Sequence, residues 1–448
     1  MSIPTIAAIS TAPGQGAVAM IRISGTGALD ISKKLFSPFP GDLKPRYQYF
    51  GQCRDVDGKS IDEVLLTWFQ APASFTGEDI VEIACHGGMV VTGCLLERIF
   101  ALGATPAEPG EFTQRAFLNG KIDLTQAEAI MDLISAQTDL AVKAAGEQLA
   151  GRLGEEMEFL RGQLIEITAH VEAYIDFPDE DIDPESRDLI TTRISKVVDR
   201  IDQLLATADR GRIIREGVKT VLCGAPNAGK SSLLNLLVGY NRAIVSSQPG
   251  TTRDTIEEVI NLDGIPLRII DTAGIRHSED DIERQGIERS REQMQQAELV
   301  LLLIDSTETE AEIAAIEIPA AGKVVRILNK TDLPVHRDWA EREDLVRVSC
   351  LSGDGIGDLR NAITRLLTGS DEGFAQGDLV AVNSRHQHFL KMARENMIEA
   401  GNRLGENESP EFVSFEIREA LESIGAVVGK TDVEEILGSI FSTFCIGK

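Results

Sequence analysis

A glycine-rich loop near the middle of the chain constrains the fold more than any other segment. Residues 224–231 read GAPNAGKS and fit the pattern GxxxxGK[ST]. The apolar run Thr220 to Cys223 precedes the loop, and a helical segment from Ser232 to Val238 follows it. Phosphate oxygens need many hydrogen-bond donors at close range, which converging backbone amides and a helix N-terminus supply. The sequence therefore predicts a phosphate-binding loop between a β-strand and an α-helix.

Residues at the end of this loop have predicted roles. Lys230 is expected to contact the β- and γ-phosphates of a nucleoside triphosphate, and the Ser231 hydroxyl is expected to bind Mg²⁺. This metal ion neutralises charge that develops between the last two phosphates. The loop residues predicted to bind the nucleotide are Asn227, Ala228, Gly229, Lys230, Ser231 and Ser232.

Two segments after the loop predict a sensor of the γ-phosphate. Asp271 follows a predicted strand that ends at Ile270, which places its carboxylate near Mg²⁺, and the amide of Gly274 can then contact the γ-phosphate. Thr252 offers a second hydroxyl that reaches Mg²⁺ when the triphosphate is bound. The nucleotide-binding residues predicted in these segments are Ser246, Ser247, Gln248, Pro249, Gly250, Thr251, Thr252, Asp271, Thr272, Ala273 and Gly274.

The segment NKTD over residues 329–332 predicts which base is bound. It follows the predicted strand Val324 to Leu328, and Asp332 can accept hydrogen bonds from the N1 proton and the 2-amino group of guanine. Adenine lacks this donor pair, and a buried carboxylate without a partner rejects the wrong base, so GTP is preferred over ATP. The other residues of the predicted guanine site are Asn329, Lys330, Ser349, Cys350 and Leu351, the last three positioned to back the ring.

The sequence leaves open which residue promotes cleavage of the phosphate. Ile275 stands where many regulatory GTPases carry a glutamine that orients the attacking water, and an isoleucine side chain cannot hydrogen-bond water. Another polar group is therefore required. The candidates are the carboxylates Glu279, Asp280, Asp281 and Glu283 for the water and Arg253 and Arg276 for transition-state charge. Each is also consistent with a solvated loop charge.

Residue periodicity divides the 448-residue chain, which by length should form about two to four domains. Short alternating apolar runs up to about Gly120 predict a mixed α/β domain, whereas the segment after Asp123 and the segment after Leu379 show the 3.6-residue period of amphipathic helices. Between them, strands alternate with helices, and Asp263-Gly264 predicts a hairpin that adds one antiparallel strand. The apolar positions after Leu379 are Phe389, Met392, Met397, Ile398, Ile417, Leu421, Ile424, Val433, Ile436 and Leu437.

The predicted fold class is therefore multidomain α/β plus all-α. The domains are an N-terminal α/β domain (1–120), a helical domain in two parts (121–216 and 376–448), and an inserted P-loop domain (217–375) with a mostly parallel sheet.

Charge and cysteine content restrict the partners and the compartment. Lys and Arg total 44 against 71 Asp and Glu, and the net charge of −27 repels phosphate backbones and anionic membranes. Any contact with nucleic acid must then be confined to a local surface or be provided by a partner protein. Six scattered cysteines without a CxxC pair favour a reducing, cytoplasmic setting, and no signal peptide is expected. The apolar run Leu299 to Ile304 is too short to cross a membrane and predicts a buried strand.

Further motifs lie near both ends of the chain. They are RISG at 22–25, FTGED at 75–79, HGG at 86–88, PGEF at 109–112, RAFLNGK at 115–121 and FCIGK at 444–448. Together with the nucleotide-binding motifs, they resemble the tRNA modification GTPase MnmE family, also called TrmE, over the whole chain. The GTPase motifs are shared by many families, so the two ends narrow the match.

This resemblance implies an N-terminal folate-binding and dimerising domain, a helical domain built from both flanks, and a GTPase domain inserted within it. It implies a homodimer whose GTPase domains meet face to face. It also implies that K⁺ beside the phosphates replaces an arginine finger, with Glu283 positioning the attacking water. The K⁺ ligands implied are Asn227, Ser246, Gln248 and Thr251.

The resemblance also implies the reaction and its partners. The family adds an aminomethyl or carboxymethylaminomethyl group at C5 of the wobble uridine of certain tRNAs. It acts with the FAD-dependent MnmG (GidA) in a heterotetramer or larger complex. The carbon comes from a tetrahydrofolate, 5,10-methylenetetrahydrofolate or 5-formyltetrahydrofolate. Matching positions imply that Arg22, Glu82, Lys121 and Lys448 hold the folate.

Cys445 is similar to the family's C-terminal cysteine, which is thought to act in the tRNA chemistry. Two alternatives stay open for this thiol. It is inert, or it belongs to a prenylated tail, to which Gly447 and Lys448 are poorly suited. Two alternatives also stay open for the protein, a regulatory GTPase in ribosome assembly and a nucleotide-dependent scaffold with negligible turnover.

Overall fold

A computed structural model of the protein describes residues 4–176, 184–240, 258–270, 297–310, 323–369, 381–406, 408–430 and 434–447. The chain divides into two compact units. The first comprises Met1–Met131, Gly154–Gly162 and Leu421–Lys448, and the second comprises Asp132–Leu153 and Gln163–Ala420. Mixed α/β and helical segments are present as predicted, and the boundaries of the finer division into domains stay a prediction.

Most helices of the described residues lie before or after the parts of the sequence that form the two β-sheets. They are α1 (Ala28–Leu35), α2 (Met89–Ala101), α3 (Glu111–Leu118), α4 (Leu124–Ser135), α5 (Asp139–Leu149), α6 (Arg152–Asp176), α7 (Pro184–Glu216), α8 (Lys230–Tyr240), α9 (Arg337–Ala340), α10 (Ile356–Thr368), α11 (Ser384–Gly405), α12 (Pro410–Val428) and α13 (Glu434–Ser442). None of these combines the length and the apolar character needed to span a bilayer.

Seven strands form the sheet of the first unit. They are β1 (Ile6–Ile9), β2 (Val18–Ser24), β3 (Phe36–Ser37), β4 (Gln48–Arg54), β5 (Ser60–Phe69), β6 (Ile80–His86) and β7 (Thr105–Pro106). Their order is β3-β4-β5-β6-β2-β1-β7, and all pairs are antiparallel except β1 with β7.

Successive side chains of these strands alternate between the two faces of the sheet. In β2, Ala19, Ile21 and Ile23 are buried, and they share a hydrophobic core with residues of α1 and α2. Arg22 lies on the other face, where it is directly opposite Glu82 of β6. The register of β4, β5, β6 and β2 thus aligns one row across four strands, consisting of Gln48, Thr67, Glu82 and Arg22.

The C-terminal segment packs within the first unit. Leu124 and Ala127 of α4 form a small core with Leu437 and Phe441 of α13 and with Phe444 beyond that helix. This core joins α4 and the C-terminal segment in one compact unit, although about 300 residues separate them in the sequence.

Six strands form the sheet of the second unit. They are β8 (Val218–Gly224), β9 (Glu258–Leu262), β10 (Ile265–Ile269), β11 (Leu299–Asp305), β12 (Lys323–Asn329) and β13 (Val346–Arg347). Their order is β13-β12-β11-β8-β10-β9, with every pair parallel except β10 with β9. The predicted hairpin is confirmed, since Asp263 and Gly264 both have positive φ angles, 52° and 92°, as a tight two-residue turn requires.

The predicted buried strand is also confirmed, as all seven residues of β11 are buried. Leu299, Leu301 and Leu303 belong to one hydrophobic core, while Val300 and Leu302 belong to another. A parallel strand with apolar residues on both faces requires such cover on both sides.

The predicted long amphipathic helices are present in the second unit, although one buries a different face. In α11 the buried positions are His386, Leu390, Ala393, Met397 and Ala400. Met392 and Ile398, which fit the apolar period of the sequence, are exposed instead. Small residues at the buried positions allow close packing, and Gly401 of α11 lies near Ile194 of α7.

Candidate functional site

The phosphate-binding loop has the predicted strand–loop–helix arrangement. β8 ends at Gly224 and α8 begins at Lys230, so the amides at the start of α8 face the loop. Gly224 has φ of 153°, and a Cβ atom there would lie 2.5 Å from the Leu303 carbonyl oxygen. Asn227 has φ of 64°, a left-handed conformation that asparagine tolerates better than most residues. Ser231 and Ser232 lie in the first turn of α8.

The Lys230 side chain folds over this loop. Its ammonium donates hydrogen bonds to the carbonyl oxygens of Gly224 at 2.9 Å and Ala225 at 2.8 Å. Burial lowers the pKa of Lys230, while the nearby Cys223 acts in the opposite direction. A partly desolvated cation beside a ring of amides attracts phosphate more strongly than one in bulk water.

Asn329 connects the phosphate-binding loop with the predicted guanine site. Its Nδ2 donates to the Ala228 carbonyl oxygen at 2.8 Å, and its Oδ1 accepts from the Cys350 amide at 3.1 Å. The residue is 1% exposed, so both contacts are shielded from water. Three segments that are distant in sequence therefore meet at one side chain.

The Asp332 carboxylate, which is predicted to read the base, is oriented by a serine. Ser349 Oγ donates to Asp332 Oδ1 at 2.6 Å, and Ser349 itself is buried. Asp332 is exposed and therefore accessible to a base. Leu351 is 87% exposed, so its side chain does not pack against the described protein.

Asp305 is a member of this site that sequence reasoning missed. Its carboxylate forms an ion pair with Lys330 Nζ at 2.5 Å and accepts a hydrogen bond from Thr307 Oγ1 at 2.7 Å. Burial alone would raise the pKa of Asp305, but the bonds from Lys330 and Thr307 lower it overall. One signal was available, because Asp305 ends a strand, and ligands bind at the carboxyl ends of parallel strands.

Several predicted residues lie outside the described part of the chain. They are Ser246, Ser247, Gln248, Pro249, Gly250, Thr251, Thr252, Asp271, Thr272, Ala273, Gly274, Glu283 and Lys448. Among the described residues, hydrogen bonds connect Asn329 with Ala228 of the loop and with Cys350, and Ser349 with Asp332, while Lys330 pairs with Asp305.

A cavity of about 770 Å³ opens on the first unit. Glu82 and Lys121, two of the predicted folate-binding residues, line it. Lys121 Nζ donates to the Pro72 carbonyl oxygen at 3.0 Å. The other lining residues are Met20, Arg46, Gln48, Leu65, Thr67, Phe69, Ala73, Ser74, Phe75 and Ala84.

Arg22, a further predicted folate-binding residue, holds Glu82 in place. Its Nε and Nη2 atoms donate to Glu82 Oε1 at 3.0 and 2.8 Å. The guanidinium carbon also lies 5.6 Å from the ring centroids of both Phe75 and Phe112. The Glu82 carboxylate and the two aromatic rings together restrain the Arg22 side chain. Arg22 in turn orients the Glu82 carboxylate at the cavity wall.

The C-terminal tail lies beside the neighbouring strand of this sheet. Gly447 has φ of 96°, and a Cβ atom there would overlap the Ile9 carbonyl oxygen at the end of β1. Ser10, the next residue, donates its amide to the carbonyl oxygen of Met20, which lines the cavity. The Cys445 thiol in this tail is exposed. Gly447 therefore lies beside β1, one strand away from Met20 of the cavity wall.

Comparison with known proteins finds two family models along the chain. The model described as GTP-binding protein TrmE N-terminus matches residues 5–121, and the one described as MnmE helical domain matches residues 124–445. The tRNA modification GTPase MnmE of Akkermansia muciniphila is 50% identical over 445 residues, 99% of each chain. That of Natranaerobius thermophilus is 45% identical over 459 residues, with 100% of each chain covered.

One solved structure with partial similarity is the G domain of the T. maritima FeoB iron transporter. It is 28% identical, and the match covers 33% of this chain and 98% of that one, with a TM-score of 0.23. A TM-score this low does not support a fold assignment. The assignment rests instead on the strand order of the second unit.

Proposed function

Because this chain belongs to the MnmE family of tRNA modification GTPases, we propose that it hydrolyses GTP in a reaction that modifies the wobble uridine of tRNA. The modification is an aminomethyl or carboxymethylaminomethyl group at C5. The observation that carries the proposal is the double contact of Asn329, which holds phosphate-binding and base-reading groups in one site.

The described residues divide the work on the nucleotide. Lys230 binds the terminal phosphates and Asp332, oriented by Ser349, reads the guanine edge. Lys330, anchored by Asp305, lies beside the base-reading segment. A site built around a carboxylate rejects a base that cannot donate to it.

The metal ions of the proposal fit the donors present. Ser231, in the first turn of α8, offers a hydroxyl oxygen of the kind that Mg²⁺ prefers, and Thr252 is its proposed second protein ligand. Asn227 offers an amide oxygen for K⁺, with Ser246, Gln248 and Thr251 as further ligands. When bound, both cations neutralise negative charge on the phosphates. Glu283 is proposed to position the attacking water.

The cavity of the first unit fits a folate. Its volume of about 770 Å³ falls within the range of small-molecule sites, about 300 to 1,000 Å³. Glu82 offers an acceptor for the donors of a pterin ring, Phe69 and Phe75 offer aromatic surface, and Lys121 offers a cation for carboxylates. Either 5,10-methylenetetrahydrofolate or 5-formyltetrahydrofolate supplies a one-carbon unit when bound. Lys448 is a proposed further ligand.

The partners of the proposal follow from family membership and charge. With a net charge of −27, the chain repels tRNA over long distances, so most of the cationic docking surface is assigned to the FAD-dependent partner MnmG. We assign the chain to a homodimer that joins MnmG in a heterotetramer or larger complex. All six cysteines are free thiols, which agrees with a cytoplasmic location.

Hydrolysis is tested with purified protein in KCl and in NaCl of equal ionic strength. We expect K⁺ to stimulate GTP turnover and Glu283→Ala to abolish it while GTP still binds. Glu279→Ala, a matched carboxylate in the same stretch, should hydrolyse GTP like the original protein. Equal turnover in both salts, or full activity of Glu283→Ala, would contradict this part of the proposal.

The tRNA reaction is tested by nucleoside analysis of tRNA from cells that lack this chain. We expect loss of the C5 modification at the wobble uridine and its return when the gene is restored. Unchanged wobble uridines would instead favour a GTPase that acts in ribosome assembly.

A further inference from the structure

Two cations at the rim of the N-terminal cavity have no carboxylate partner among the described residues. Arg46 Nη2 donates to the Ala73 carbonyl oxygen at 2.9 Å, and Lys121 Nζ donates to that of Pro72 at 3.0 Å. These acceptors belong to consecutive residues, so both cations are anchored to the same loop. Both side chains are exposed and line the cavity. Acidic side chains outnumber basic ones in this chain, 71 to 44, yet among the described residues Arg46 and Lys121 have carbonyl partners and can still bind an anionic ligand.

The inner wall of the cavity has a different character. Behind the lining residue Glu82, the Arg22 cation is neutralised by that carboxylate at 2.8 Å and lies 5.6 Å from the ring centroids of Phe75 and Phe112, although neither Arg22 nor Phe112 lines the cavity. The wall therefore presents an oriented carboxylate and aromatic surface, whereas the rim presents two cations. This polarity suits a ligand with a flat, hydrogen-bonding ring at one end and carboxylates at the other.

We propose that Arg46 binds a carboxylate of the glutamate tail of the folate, beside a second carboxylate held by Lys121. The inference rests on the proposed function of this cavity as the folate site. An arginine side chain has five N–H donors, so the bond from Nη2 to Ala73 leaves further donors for a carboxylate. Arg46 is then a determinant of specificity for folates over ring systems that lack the tail.

The test compares two ligands by isothermal titration calorimetry on the full chain. One is 5-formyltetrahydrofolate, and the other is the amide of 5-formyltetrahydropteroate, which lacks the glutamate and carries no carboxylate. We expect the original protein to bind the first about tenfold more tightly or better. Arg46→Gln should reduce that preference about five- to tenfold and leave the affinity for the pteroate amide unchanged. Higher ionic strength should shrink the preference of the original protein more than that of the variant, which keeps only the Lys121 cation.

Two further variants keep the test specific. Arg46 has a left-handed backbone with φ of 62°, and glutamine and lysine meet the same steric cost there, so the comparison isolates the side chain. Arg46→Lys keeps the charge and should restore part of the preference. Arg54→Gln is the matched control, because Arg54 is also exposed and donates to a carbonyl, that of Gly58, but does not line the cavity.

Each outcome separates the inference from the function on which it rests. If the original protein binds both ligands equally, or if Arg46→Gln weakens both equally, Arg46 does not bind the tail, although the cavity still binds folates. If neither ligand binds the original protein, the assignment of this cavity to folate fails, and the role of Arg46 fails with it.

Discussion

Gly229 occupies a position in the phosphate-binding loop that has no room for a side chain. Its φ is 100°, and a Cβ atom there would overlap Nδ2 of Asn329. We expect Gly229→Ala to displace Asn329 and to add about 1–2 kcal/mol of backbone strain. The affinity for GDP should fall about tenfold or more in a fluorescence titration with a labelled nucleotide.

Gly239 provides the matched control for that substitution. It is exposed in α8, and a Cβ atom there has no neighbour within 4 Å. Gly239→Ala should leave nucleotide affinity unchanged and stabilise the helix by about 0.5–1 kcal/mol. Equal affinity of the two variants would show that crowding at Asn329 does not matter.

Cys350 gives the nucleotide site a pH-dependent reactivity. Burial raises the pKa of its thiol, and the nearby Asp332 acts in the same direction. Because the thiolate is the reactive form, alkylation should be slow at pH 7 and should accelerate as the pH rises towards the raised pKa. Mass spectrometry of the labelled peptide measures this rate. Bound GDP should slow it, and equal rates with and without GDP would place Cys350 away from the base.

Single residues also show what the sequence could predict about the site. The loop from Gly224 to Ser231 and the segment from Asn329 to Asp332 were recognisable because their spacing is local. Asp305 was not, since its contact with Lys330 joins positions 25 apart and depends on two strands lying side by side.

At the scale of elements, α11 shows how packing selects a helix face. Leu390 is 0% exposed, whereas Met392, two residues later, is 40% exposed. We expect Leu390→Ala to destabilise the protein by about 2–5 kcal/mol through the cavity it leaves. Met392→Ala should cost less than about 1 kcal/mol. Thermal unfolding followed by circular dichroism compares them, and similar losses for both would contradict the assigned face.

The same helix marks a limit of prediction from periodicity. A 3.6-residue period predicts that α11 is a helix, but both Met392 and Met397 fit it, and only the neighbouring helix decides which is buried. Local signals were sufficient elsewhere, as for the hairpin at Asp263 and the buried strand β11. The cavity of the first unit could not be predicted, because its wall depends on the register of four strands and on Arg46, which belongs to no motif.

At the scale of the whole molecule, the nucleotide site and the proposed folate site lie in different compact units. We expect Lys230→Ala to weaken GTP binding about 10- to 100-fold, because a charged hydrogen-bond donor is lost. Since the two sites lie in different units, the affinity of this variant for 5-formyltetrahydrofolate should change by less than about twofold. Calorimetry with each ligand measures both quantities. A parallel loss of folate affinity would mean that the two sites are not independent.

The two hydrogen bonds of the Asn329 amide have a thermodynamic consequence for the ligand. When a ligand orders the phosphate loop, it fixes Asn329 in the position that also orders the Cys350 segment, and the reverse holds as well. Guanosine and pyrophosphate, supplied as separate molecules, should therefore promote each other's binding. The covalent nucleotide gains affinity from this cooperativity in addition to the contacts of its two halves.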